Sequence, residues 1–178
     1  KSSAASDVYK RQVSKQDIVI GLGLSLPTIT QNLNNLAELG LIDTSKKISN
    51  TGGRNATAYS YIEKARYAVG LYLNRHHINC VAVDLSGNVI SLIRVRENFD
   101  LNDDNYLRKI GETVEEVKKD TGLSDDRFLG VGIAVQGLIS DDGERVTYGL
   151  TLNFTGVTRA DIAKYIPVSY THLTLPTT

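Results

Sequence analysis

The 178-residue sequence contains no methionine and no tryptophan, and it has one cysteine, three prolines and three phenylalanines. The single cysteine, Cys80, cannot form an internal disulfide and cannot build a cysteine zinc site by itself. No apolar run is long enough to span a membrane, and no stretch has the pattern of a secretory signal. Lysine plus arginine equals aspartate plus glutamate, at 20 each. These absences exclude disulfide scaffolds and membrane spans, and they predict a cytoplasmic protein.

Both ends of the chain differ in composition from the residues between them. Residues 1–12 have no hydrophobic period, and residues 168–178 form a polar, threonine-rich tail. Both resemble translated sequencing adapters, with ordinary disordered termini as the alternative. We therefore expect a non-native leader and tail around a segment truncated at both ends.

A pattern of two helices joined by a turn lies near the start of the chain. Ser14, with Asp17 three residues later, matches a capping box and predicts the start of a short helix. Gly23 suits the left-handed residue that ends such a helix. Ser25 is a preferred N-cap and Pro27 is tolerated in a first turn, so a second helix is predicted to begin there.

The second predicted helix has one apolar face and one polar face. Its apolar residues recur at helical spacing and predict a buried stripe of Ile29, Leu33 and Leu36. The opposite face carries Pro27, Gln31, Asn34 and Glu38, with Thr28, Thr30 and Asn35 at its flanks. Threonine, glutamine and asparagine near a helix N-terminus can bond to base edges and phosphates. Taken alone, the pattern fits a DNA-recognition helix and a plain surface helix equally well.

A basic hairpin is predicted directly after this helix. Its strands begin at Leu41 and end at Tyr61, and its tip holds Lys46, Lys47 and Arg54 together with two glycines. A basic, glycine-containing hairpin behind a recognition helix is typical of a wing. The neighbours therefore favour a winged helix-turn-helix that binds double-stranded DNA.

The charge distribution agrees with this assignment. Residues 13–66 carry six Lys/Arg and four Asp/Glu, whereas residues 67–168 carry eleven and fifteen. The basic excess lies on the predicted DNA-binding segment, where it adds modest support.

The second half has the texture of an α/β lobe. Apolar runs predict antiparallel strands over 67–73, 78–83 and 89–95, a helix from Asp103 or Asp104 to Gly122, a buried strand over 128–135, a hairpin tip at 141–143 and a short helix over 160–165. Three strands, a helix and a fourth strand predict the first part of an actin-like or ribonuclease-H-like lobe.

Short motifs occur in both halves of the chain: Ser14–Ile18, Gly23–Ser25, Pro27–Thr30, Leu36–Ile42, Gly52–Arg54, Tyr67–Gly70, Asp84–Gly87 and Gly130–Ala134 with Gly137. These motifs resemble those of the ROK family of repressors, open reading frames and kinases, and specifically its xylose- or N-acetylglucosamine-repressor type. Each motif is short, but their order and spacing are specific, and together they cover 13–167.

The resemblance implies a division into two domains. Residues 13–66 would be a winged helix-turn-helix that lacks its first helix, and residues 67–167 would be the first part of a sugar-binding domain. It implies no cofactor here, with a structural zinc only in a missing C-terminal part.

Kinases of the family bind ATP phosphates in an Asp-x-Gly-Gly-Thr turn between the first two strands of this domain. The corresponding residues 72–77 contain no glycine, aspartate or threonine, which argues against sugar phosphorylation. Adjacent residues on a strand point to opposite faces, so His76 and His77 do not form a metal pair. We therefore predict no catalytic residue and no metal ligand.

The resemblance implies a sugar-responsive regulator, a repressor of carbohydrate-utilisation genes, acting as a homodimer on a palindromic operator. The alternatives are a sugar kinase with a fused DNA-binding head and a segment that is inactive by itself. The predicted DNA-contacting residues are Ser25, Pro27, Thr28, Thr30, Gln31, Asn34, Lys46, Lys47 and Arg54. Gly137 and Asn153 are the residues implied for a sugar or sugar-phosphate effector.

Overall fold

The computed structural model describes residues 12–48, 56–149, 152 and 154–166. The chain divides into two compact units, Lys1–Ala65 and Arg66–Thr178. The predicted tail and all but the last residue of the predicted leader lie outside the described residues.

The first unit contains two helices and a small antiparallel sheet. Its elements are β1 (Val13–Ser14), α1 (Lys15–Leu22), α2 (Leu26–Glu38), β2 (Ile42–Asp43), β3 (Lys47–Ile48), β4 (Ala56–Tyr61) and a 3-10 turn (Glu63–Ala65).

The caps predicted for α1 are present. The Asp17 N–H donates to Ser14 Oγ at 3.2 Å, and the Ser14 N–H donates to Asp17 Oδ2 at 2.9 Å. Gly23 ends the helix at a φ of 64°, and its N–H donates to the Val19 carbonyl oxygen at 2.9 Å. This backbone conformation is unfavourable for residues with a Cβ, which is why glycine suits the position.

Helix α2 begins at its predicted cap, but its buried stripe is shorter than predicted. The Thr28 N–H donates to Ser25 Oγ at 3.4 Å. Ile29 and Leu33 are buried as expected, whereas Leu36 is 37% exposed, so its predicted burial is wrong. Periodicity sets the direction in which a side chain points, but the amount of burial depends on how much of another element covers it.

Strand β4 is paired along both edges. On one edge Val13 of β1 lies opposite Tyr59, and on the other Ile42 of β2 lies opposite Tyr61, all antiparallel. Lys47 of β3 also pairs, opposite Thr57. The prediction that the hairpin tip begins at residue 46 is therefore wrong for Lys47, which is part of the strand.

The second unit is a mixed sheet with helices. Its elements are β5 (Tyr67–Asn74), β6 (His77–Asp84), β7 (Val89–Arg96), α3 (Asp104–Asp120), a 3-10 turn (Asp125–Arg127), β8 (Phe128–Val135), β9 (Leu138–Ile139), β10 (Val146–Tyr148) and α4 (Arg159–Ala163). The sheet order is β7-β6-β5-β8, with β5, β6 and β7 antiparallel and β8 parallel to β5. The predicted three antiparallel strands, helix and fourth strand are confirmed.

The core of this unit lies between the sheet and α3. Alternate side chains of β5 and β6, including Leu71 and Cys80, are buried on one face of the sheet. Ile110, Val114 and Val117 recur at helical spacing and belong to the same buried cluster. Side chains that recur every 2 residues along the strands pack in this layer against side chains that recur every 3.6 residues along the helix.

Two contacts join the start of α3 to the end of the described chain. Tyr165 Oη and Lys164 Nζ donate to Asp104 Oδ1 at 2.6 and 3.0 Å. These bonds lower the pKa of the Asp104 carboxyl from 3.8 to about 2. About two helical turns further on, Gly111 lies directly against the backbone of Tyr165, with no room for a Cβ.

Candidate nucleic-acid interface

The polar face of α2 is open to solvent along its length. A shallow depression follows it, lined by Leu26, Pro27, Thr30, Gln31, Asn34, Asn35 and Glu38. The side-chain amides of Gln31 and Asn34 are exposed and form no hydrogen bond within the described ranges. Each amide therefore keeps its donors and its acceptor available for a ligand.

Three hydroxyl residues predicted to contact DNA also shape the helix. Ser25 Oγ and Thr28 Oγ1 are 2.8 Å apart at the N-terminus of α2. Thr30 Oγ1 donates to the Leu26 carbonyl oxygen at 2.8 Å and is half-buried. Their geometry gives these hydroxyls a structural role, whereas Gln31 and Asn34 project freely.

Lys15 is a candidate that the sequence reasoning missed. Its Nζ donates to Thr30 Oγ1 at 3.2 Å, so that the first residue of α1 brings a positive charge beside α2. The two residues are fifteen positions apart and on different helices, and periodicity within one helix cannot reveal such a contact.

The basic arm of the hairpin is only partly described. Lys46 and Lys47 are exposed, and the Lys46 carbonyl oxygen accepts from the Ala58 N–H at 2.8 Å. The Ser45 N–H donates to Asp43 Oδ1 at 2.8 Å, and this bond lowers the pKa of the Asp43 carboxyl. Arg54 lies outside the described residues.

In the second unit, the hairpin between β5 and β6 is closed by an asparagine. Asn74 Oδ1 accepts from the His76 N–H at 3.1 Å and from the His77 N–H at 2.9 Å. A glycine-rich phosphate turn would instead leave several backbone N–H groups open to the ligand.

Of the two residues implied for sugar binding, one lies within the described residues. Gly137 follows β8, and a Cβ there would lie 2.9 Å from the Tyr148 carbonyl oxygen and 3.0 Å from Val146 Cγ1. This crowding is a packing reason for glycine at position 137. Asn153 lies outside the described residues, so the sugar site stays a prediction.

Two further polar groups have structural roles. Burial raises the pKa of the Cys80 thiol to about 12, so the thiol stays protonated and unreactive. Asp84 is a buried turn residue whose oxygens accept from the Ser86 N–H, the Asn88 N–H and Asn88 Nδ2 at 2.8, 2.9 and 3.0 Å. Within the described ranges, no three His, Cys, Asp or Glu side chains are grouped to hold a metal ion.

The structure thus has a first unit with an exposed polar helix beside a basic hairpin and a second unit with a mixed α/β sheet. No protein-family model matches the chain, and no curated protein sequence matches it. A solved ROK family transcriptional regulator, a homologue of the E. coli MLC protein, is similar with a TM-score of 0.65 and 20% sequence identity. The match covers 97% of this chain and 44% of that regulator.

Two solved kinases are also similar. A ROK family glucokinase from Streptomyces griseus, in complex with glucose and AMPPNP, has a TM-score of 0.44 and 14% identity over 62% of this chain and 32% of its own. A glucokinase from Balamuthia mandrillaris, in complex with glucose, has a TM-score of 0.40 and 18% identity over 63% of this chain and 29% of its own. At these TM-scores, the two similarities carry no further conclusion.

The likeness to the regulator shows the fold. The chain has the fold of a ROK family regulator over nearly its whole length, and the resemblance predicted from the sequence is confirmed at this level. The chain spans less than half of that regulator's length. None of the helices in the described ranges combines the length and apolar character needed to cross a bilayer.

Proposed function

We propose that the chain is part of a ROK family transcriptional regulator and that its first unit is a winged helix-turn-helix that binds double-stranded DNA. The observation that carries this proposal is the exposed face of α2, where the amides of Gln31 and Asn34 are free of partners within the described residues. The fold shared with a transcriptional regulator over 97% of the chain supports it.

Each proposed contact follows from its chemistry. An α-helix fits the major groove, where glutamine and asparagine amides can pair with the donor and acceptor of adenine. The phosphates would be neutralised by Lys46, Lys47 and Arg54. Lys15 would add a positive charge near the N-terminal part of α2. A homodimer would place two such helices on the half-sites of a palindromic operator.

The second unit is proposed to hold a sugar or sugar-phosphate effector, with Gly137 and Asn153 at the site. An effector changes DNA binding only if it binds the two conformations of the regulator with different affinities. Repression of carbohydrate-utilisation genes is the role that this arrangement supports.

Selection from a randomised duplex library tests the DNA-binding proposal. The 178-residue chain should enrich a palindromic sequence, and its binding should weaken steeply with salt because phosphate contacts release counterions. Recovery of unenriched sequences, or no retained duplex at low salt, would contradict the proposal for this chain.

A sugar kinase is the alternative that a coupled ATPase assay tests. The asparagine-closed turn at 74–77 supports a protein that does not phosphorylate sugars. We therefore expect no turnover above the protein-free background with xylose, glucose or N-acetylglucosamine. Sugar-dependent ATP hydrolysis would contradict a purely regulatory role.

A further inference from the structure

The ring of Phe99 packs against two other aromatic rings of the second unit. Its centroid lies 5.0 Å from that of Phe154 in a tilted arrangement and 5.7 Å from that of Tyr106 in an edge-to-face arrangement. Both partners are buried, with Tyr106 in the first turn of α3. Tilted and edge-to-face contacts are favoured geometries of aromatic pairs. Phe99 therefore joins Phe154 to the start of α3.

The backbone around Phe99 is bonded to the β5–β6 hairpin. The Phe99 N–H donates to the Arg75 carbonyl oxygen at 3.1 Å, and the Glu97 N–H donates to the His76 carbonyl oxygen at 3.0 Å. Between them, Asn98 Oδ1 lies 3.1 Å from His76 Nδ1. Because these bonds fix the backbone on both sides of Asn98, the place of the Phe99 ring is set without any contribution from Phe154.

Phe154 closes a short loop beside Gly137. Its N–H donates to the Gly149 carbonyl oxygen at 3.1 Å, and the two residues form an antiparallel bridge. A Cβ on Gly149 would overlap the Phe154 carbonyl oxygen, and a Cβ on Gly137 would lie 3.6 Å from Gly149 Cα. Asn153 immediately precedes Phe154 in the sequence. The two residues proposed for the effector thus neighbour this bridge, Gly137 in space and Asn153 along the chain.

We propose that Phe99 is a positioning residue of the effector site, an inference that rests on the effector role proposed above for the second unit. The ring of Phe99 fixes Phe154, and the Gly149–Phe154 bridge carries that position to the site beside Gly137. A binding site needs such support behind the residues that touch the ligand. Groups already fixed in place bind more tightly, because ordering them during binding costs conformational entropy.

Amide hydrogen exchange tests the positioning role without any effector. In Phe99→Leu, which keeps an apolar side chain but removes the ring, the Phe154 amide should exchange faster, and its acceleration should exceed that of the β5 and β6 amides at least tenfold. Equal acceleration of all these amides would indicate a general loss of stability. That result, or unchanged exchange at Phe154, would overturn the proposal.

Titration calorimetry with xylose, glucose and N-acetylglucosamine tests the consequence for the effector. A sugar that binds the wild-type chain should bind Phe99→Leu at least tenfold more weakly, whereas Phe99→Tyr, which restores the ring, should bind it within threefold of wild type. Leu123→Ala is the matched control. Leu123 packs partly buried on the same core just after the other end of α3, so this variant should lose stability and keep its dissociation constant.

The outcomes separate this proposal from the proposed function. Sugar binding by the wild-type chain with equal affinity in Phe99→Leu would overturn the role of Phe99 and leave the effector role intact. Binding weakened as much in Leu123→Ala as in Phe99→Leu would assign the effect to stability and would also overturn it. If the wild-type chain bound none of the three sugars, the effector role itself would be contradicted, and the role of Phe99 would fall with it.

Discussion

At the scale of single residues, two helical glycines with opposite surroundings offer a matched test of packing. Gly111 of α3 lies against the backbone of Tyr165, whereas Gly21 of α1 has nothing within 4 Å of an added Cβ. Gly21→Ala should raise the free energy of unfolding by about 0.5–1 kcal/mol, since alanine is the better helix former.

Gly111→Ala should instead lower it by about 1–3 kcal/mol, because the overlap outweighs the same gain in helix propensity. Denaturant unfolding monitored by circular dichroism measures both changes. If Gly111→Ala raised the free energy of unfolding as Gly21→Ala is expected to do, the close approach of Gly111 would carry no energetic weight.

Substitutions of Asn34 and of Lys47 are expected to change DNA binding in different ways. Asn34→Ala removes a proposed base contact. The difference in binding free energy between the preferred base pair and another base pair at one operator position should therefore decrease by about 1–3 kcal/mol. The measurement is a comparison of binding to the selected operator and to the same duplex changed at that base pair. An unaltered preference would exclude Asn34 from base recognition.

Lys47→Ala removes a proposed phosphate contact and should weaken binding to all duplexes alike. The slope of log affinity against log salt should decrease by about 1 in magnitude. Lys109→Ala, on an exposed side chain of the second unit, is the matched loss of one positive charge and should leave the slope as it is. Equal decreases of the slope in the two variants would show that the net charge of the protein, rather than a phosphate contact of Lys47, sets the salt dependence.

At the scale of elements, the connection between α3 and the chain after α4 is sensitive to acid. The hydrogen bonds from Tyr165 and Lys164 lower the folded-state pKa of Asp104 from 3.8 to about 2. A carboxyl group whose pKa is lower in the folded state than in the unfolded state stabilises the fold at pH values above its unfolded-state pKa. This stabilisation is lost as the pH falls towards the folded-state pKa. Stability should therefore drop between about pH 4 and pH 2.

Asp104→Asn should make unfolding less dependent on pH in this range, although the variant is less stable at neutral pH. Urea unfolding at half-unit pH steps checks this expectation. Glu116→Gln, at an exposed acid on the same helix, is the control. A pH profile that Asp104→Asn leaves unchanged would remove this carboxylate from the acid response.

Elements with local signals could be predicted from the sequence. Ser14, Gly23 and Ser25 mark helix ends through bonds that reach at most four residues along the chain, and the four strands of the main sheet of the second unit follow from mainly apolar runs. Contacts between distant positions could not be predicted. The approach of Gly111 to Tyr165 and the reach of Lys15 to Thr30 depend on tertiary packing, which a single sequence does not display.

At the scale of the whole molecule, the proposed effector should be detectable through stability. A ligand at a hundred times its dissociation constant stabilises the folded state by about 2.7 kcal/mol. For a chain of this size, that corresponds to a rise in melting temperature of roughly 5–10 °C. Scanning fluorimetry with xylose, glucose and N-acetylglucosamine checks the expectation.

The mirror-image L-sugars at equal concentration provide the control, because a chiral site should not respond to them. Asn153→Ala should abolish the shift and leave the proposed DNA binding of the first unit unchanged. Identical shifts with both enantiomers would show a bulk effect of the solute and exclude a sugar site.

The junction at Ser14 has a further consequence. Ser14 is the last residue of β1, where it pairs with Ala58, and it is also the N-cap of α1. The strand and the helix therefore follow each other with no intervening loop. A loop normally absorbs an inserted residue by bulging, but a junction without one must break either the pairing or the cap. Insertional scanning should therefore find this point intolerant, although it lies close to the start of the chain, where insertions are usually harmless.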